Sequence, residues 1–103
     1  MNTLEYMAAV KARLGIESDY ALSKALGVSK QCVSRYAKGH GQFDDEVAAR
    51  VAEILGMHPG LVVLDMHRER AKTPAERKIW QDIFQGFLTL LLPANGKGFS
   101  PSL

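Results

Sequence analysis

Apolar residues return along this chain at intervals of three and four, and no stretch alternates convincingly at period two, so the pattern predicts helices throughout. Residues 2 to 14 set Leu4, Met7, Ala8, Lys11 and Leu14 on one helical face, with Asn2 and Glu5 suited to its start and Gly15 to its end. Ser18 or Asp19 caps a second helix that runs to about Leu26, where Gly27 stops it. Ser29 caps a third, to about Lys38, and "KGHGQ" is a loop. Asp44 or Asp45 opens a fourth helix, in which Val47, Val51, Ile54 and Leu55 share a face, and Gly56 closes it. His58-Pro59 starts a fifth, to Lys72. "TPAE" at residues 73 to 76 is a capping box with proline in the first helical position; it begins a sixth helix that reaches about Leu91 and stops at Pro93. The tail "PANGKGFSPSL" is rich in Pro, Gly and Ser and is expected to be flexible.

The expected fold is therefore all-α. A chain of 103 residues is the size of one ordinary domain. The expected division is a first domain over residues 1–72, an amphipathic C-terminal helix over 73–92 and a tail over 93–103. What the first of these does is read from its second and third helices.

Those two helices are short and joined by a tight glycine turn, an arrangement in which the first braces the second so that it enters a major groove. The turn needs Gly27 followed by an apolar residue, Val28, and close approach of the helices needs the small side chains of Ala21 and Ser23. Leu22, Leu26, Val28, Val33 and Tyr36 have the phase of a core. Ser29, Lys30, Gln31, Ser34, Arg35 and Lys38 then point outward. A net charge of +2 is too small to indicate a nucleic-acid binder, but its distribution is informative. From Ala21 to Phe43 the chain carries Lys24, Lys30, Arg35 and Lys38 and no acid, while Glu17, Asp19, Asp44, Asp45 and Glu46 flank that window.

"DYALSKALGVSKQCVSRYAKG" resembles the helix-turn-helix of the lambda-repressor-like family (Cro/repressor, xenobiotic-response-element type), most closely in its LGVS turn and its V-S-R-Y ending. The resemblance spans roughly residues 3 to 58 as a five-helix layout, to which the sixth helix is an addition. "HGQFDDEVAARVAEILGMHP" resembles the fourth helix of small regulators encoded by phages and prophages. The family implies a sequence-specific, usually dimeric, regulator of double-stranded DNA. On that resemblance Gln31 pairs with adenine, and Lys30 and Arg35 read guanine or grip phosphate. Ser29, Ser34 and Lys38, with Lys24, Tyr20, His40 and Gln42, hold the phosphate backbone. Ser23 stands where alanine or glycine is commoner in the family, and Asp19 where a glutamine often contacts phosphate.

Nothing in the sequence argues for catalysis, a cofactor or a metal. Asp44-Asp45-Glu46 is explained by its place at a helix N-terminus. "NGKG" lacks the strand and helix of a phosphate loop, and His40, His58, His67 and Cys32 match no zinc spacing. Cys32 reads as a small packing residue, with a redox-sensing thiol as the alternative. The single cysteine, the absence of a secretory pattern at the N-terminus and the shortness of the apolar stretch from Ile79 to Leu92 lead us to expect a cytoplasmic protein outside membranes.

In the sixth helix, Ile79, Trp80, Ile83, Phe84, Phe87, Leu88, Leu90 and Leu91 exceed the stripe that one small core requires. A homodimer is the expected use of this surface, with Trp80 and Phe84 as anchors; packing on the first and fifth helices, or contact with a membrane or a different protein, are the alternatives. The expected function is a phage-type repressor on a near-palindromic operator. Its rivals are a DNA-binding antitoxin or restriction-system controller, and an interaction or inhibitor protein that keeps the fold without binding DNA.

Overall fold

Each helix begins beneath a side chain that takes up one of its unpaired backbone N–H groups. The structure, a computed structural model, describes residues 1–92; Pro93 and the tail lie outside the described residues. Asn2 accepts from the N–H of Glu5 to open α1 (Thr3–Leu14), and the Glu5 carboxylate returns to the N–H of Asn2. Ser18 opens α2 (Asp19–Leu26), Ser29 opens α3 (Lys30–Ala37) and Asp44 opens α4 (Asp45–Leu55). His58 uses its ring nitrogen to cap α5 (Pro59–Arg70), and Thr73 with Glu76 forms the capping box of α6 (Pro74–Leu91). The fold is all-α: no strand occurs among the described residues. No helix among them is long and apolar enough to cross a membrane.

α5 ends at Arg70, two residues before the sequence reading placed its end. The capping box of α6 is the cause, because Glu76 accepts from the N–H groups of both Lys72 and Thr73 and so draws Lys72 out of the preceding helix. The same two donors hold the Glu76 carboxyl below the usual carboxylate range.

A second correction concerns α1. Its buried face is Thr3, Tyr6, Met7 and Val10, whereas Leu4 and Leu14 are 49% and 44% exposed. Two apolar phases overlap at Met7, and the winning one carries the larger ring and two polar groups with partners waiting on α5. The Thr3 hydroxyl donates to Glu69 at 2.8 Å, and the Tyr6 hydroxyl donates to the buried carboxylate of Asp65.

The core runs through α1 to α5. Val10, Leu22, Val33, Val51 and Val62 are fully buried in it. Phe43, also fully buried, sits edge-on to Tyr36 with ring centroids 5.0 Å apart. Burying such a side chain contributes about 2–3 kcal/mol, which anchors the loop between α3 and α4 from beneath.

α6 has no buried residue and lies on α5. Trp80 stacks on His67 with centroids 4.3 Å apart, Phe84 lies under the Arg68 guanidinium at 4.2 Å, and Phe87 meets the His58 ring at 5.2 Å. A methyl group at Gly60 would stand 2.7 Å from the Phe87 ring, so the bare backbone there makes room for it. The anchors that the sequence suggested for a second subunit are thus turned toward the chain's own α5. Ile79, Ile83, Leu90 and Leu91 remain exposed.

Candidate nucleic-acid interface

The geometry of α3 is set by the turn before it. Gly27 adopts a left-handed conformation, φ 72°, and its N–H together with that of Val28 closes α2 on the carbonyls of Lys24 and Ser23. Ser23 is 3% exposed where α2 and α3 meet, and its hydroxyl donates to the Tyr20 carbonyl at 2.6 Å, which satisfies the polar atom that an alanine would lack. Leu22, Leu26, Val33 and Tyr36 are buried and Val28 packs against them, as their phase requires.

Lys30, Gln31 and Arg35 of α3 and Lys38 at its C-cap are exposed, and Ser34 is half-buried. Ser29 is exposed too, but its side-chain oxygen already accepts from the N–H of Cys32 at 3.0 Å. On α2, Lys24 and Tyr20 face solvent together, the ammonium 5.3 Å from the ring centroid. His40 is exposed and Gln42 half-buried in the loop after α3, which folds back as the N–H of His40 donates to the Arg35 carbonyl at 2.9 Å.

The four cations Lys24, Lys30, Arg35 and Lys38 have no ion-pair partner among the described residues. Two of the flanking acids are otherwise engaged. Asp19 is paired with Lys11 at 2.9 Å, and Asp44 caps α4. The sequence reading set Lys11 on the face of α1 but missed this pairing, because Lys11 lies one helix away from the acid it meets. Arg70, also missed, donates to the Phe43 carbonyl at 2.6 Å and steadies the far end of the loop.

Cys32 is half-buried against the core. Burial first, and then the Cys32 side chain, raise the Tyr36 phenol well above its ordinary value. Among the described residues no cluster of His, Cys, Asp and Glu could hold a metal ion.

Residues 11–62 match a family model described as "Helix-turn-helix". This chain belongs to the lambda-repressor-like helix-turn-helix family. As a helix-turn-helix protein it is a DNA-binding regulator, and its family is generally non-enzymatic. Residues 63–87 match a second family model, described as "Phage related protein", so the junction of the two matches falls inside α5. The helix-turn-helix chain is also 31% identical over 84 residues to "Uncharacterized protein Gp-c" of Pseudoalteromonas phage PM2, an alignment covering 77% of this chain and 90% of that one. No solved structure matches it.

Proposed function

We propose that this helix-turn-helix protein is a cytoplasmic transcriptional repressor of phage type that binds a near-palindromic operator as a homodimer. The observation that carries the reading is the set of unpaired cations on one acid-free face, held by a capped helix whose other face is core. Gln31, Lys30 and Arg35 read base edges; Ser29, Ser34, Lys38, Lys24, Tyr20, His40 and Gln42 position the protein on phosphate. Residues 1–72 bind DNA and residues 73–92 join the subunits.

The dimer reading draws on the outward stripe of α6. Ile79, Ile83 and Leu90 are 56%, 45% and 78% exposed, and Gly86 interrupts them. A glycine inside a helix costs about 1 kcal/mol relative to alanine, and a methyl group at Gly86 would meet nothing within 4 Å, so its own domain makes no use of the gap. An antiparallel second copy does: Ile79 then faces the second copy's Leu90, and Ile83 enters the notch at its Gly86. Such a self-complementary contact is what a two-fold axis requires.

The test is a mobility-shift titration at physiological salt on the region upstream of the protein's own gene, against excess random duplex. A specific complex that Gln31→Ala/Arg35→Ala weakens by about 1–3 kcal/mol per lost base contact supports the reading. A specific complex unaffected by those substitutions would place DNA recognition elsewhere and defeat it.

A further inference from the structure

A second concentration of positive charge lies outside the helix-turn-helix. Where α5 turns into α6, the chain runs beside the loop that leaves α3, and between them is an open groove of about 670 Å³. Its charged and polar walls are His40, Gln42, Glu69, Arg70, Lys72 and Arg77. One oxygen of the acid among them, Glu69, accepts from both the N–H and the hydroxyl of Thr3, each at 2.8 Å. Arg70 is held by the Phe43 carbonyl. Lys72 and Arg77 are exposed, and their side chains have no hydrogen-bond or ion-pair partner among the described residues.

The groove is continuous with the recognition helix. The Arg35 guanidinium reaches over the loop to within 3.9 Å of where a methyl group at Gly41 would stand. Gly39 and Gly41 form part of the near wall, so backbone rather than side chain meets whatever enters. Cations on flexible stems around an open trough, with no large apolar side chain in its walls, suit a charged polymer edge better than a small enclosed ligand.

We infer that this groove takes the phosphate backbone of duplex DNA, with Lys72 and Arg77 as its contacts, and so extends the bound stretch past the recognition helix. The inference rests on the DNA-binding reading above. It makes the start of α6 part of the DNA surface while the apolar stripe of the same helix serves another purpose.

The experiment is fluorescence anisotropy with a random-sequence duplex of about 40 base pairs over a salt series, which requires no operator to be known. With about 0.9 in the logarithmic salt slope per phosphate contact, Lys72→Ala/Arg77→Ala should lower the slope by about 2 and the affinity at 0.15 M salt by about 30-fold. Lys78→Ala removes the same charge from the neighbouring position, but that ammonium is paired with Asp82 at 2.9 Å, so its slope should stay that of the wild type. A double variant with the wild-type slope overturns the groove and leaves the recognition helix standing. Equal losses for Arg77→Ala and Lys78→Ala also overturn it, because net charge would then suffice. A wild-type protein that binds no duplex overturns the DNA-binding reading and the groove with it. Circular dichroism of each variant, unchanged at these exposed positions, keeps the comparison about binding.

Discussion

At the scale of single residues, the most constrained group is Asp65, a carboxylate only 3% exposed. Its charge is tolerable because Arg68 donates to one oxygen at 2.7 Å, while the Tyr6 hydroxyl and the Met1 amine share the other. Burial, and then the bond to Asp65, raise the Tyr6 phenol far above its ordinary value near 10. Tyr6→Phe removes a donor from a buried anion and should cost about 1–3 kcal/mol in urea denaturation at neutral pH. The sign of the pH effect follows from the raised value: an unfolded tyrosine ionises near 10 and the folded one does not, so stability is intact below that pH and falls above it. Thermal melts from about pH 8 to about pH 11 should show the wild type losing stability more steeply than Tyr6→Phe. Very little of this site was legible beforehand. The caps at Asn2, Ser29 and Thr73 act within four residues and could be read directly, but Asp65 and Glu69 meet partners some sixty residues away, a pairing that no local pattern encodes.

At the scale of elements, periodicity located every helix and misjudged two of their faces. α1 offers two overlapping apolar phases, and only the partners on α5 decide between them. α6 carries apolar residues on more than one side, and the sequence could not say that Trp80, Phe84 and Phe87 serve α5 while Ile79, Ile83 and Leu90 do not. The fit of Phe87 against Gly60 leaves no room for even a methyl group and is therefore a sensitive point of that seam. Gly60→Val fills the place of the ring and should weaken the docking of α6 by about 1–3 kcal/mol. Trp80 is the one tryptophan of the chain, so its emission reports this directly. A red shift and lower stability are expected; an unchanged spectrum would mean that Phe87 contributes little to the seam.

At the scale of the whole molecule, the arrangement of α6 changes which substitution tests association. Phe84→Asp would disturb the contact with Arg68 as well as any dimer, whereas Ile83 points outward and Ile83→Asp leaves that contact alone. The Ile83 variant should sediment as a monomer with wild-type helicity and bind operator DNA more weakly. Half-sites about 34 Å apart would then be engaged one at a time. Sedimentation of this variant as a dimer would show that another surface joins the subunits. The polar ties between α1 and α5 have a consequence of a different kind, in time rather than in space. The Thr3–Glu69 and Tyr6–Asp65 bonds close loops of 66 and 59 residues, while α2 with α3, and α4 with α5, pack as neighbours along the chain. Loop closure of that length is a late event in folding. On the ribosome, α1 therefore stays without those partners until the end of α5 has emerged.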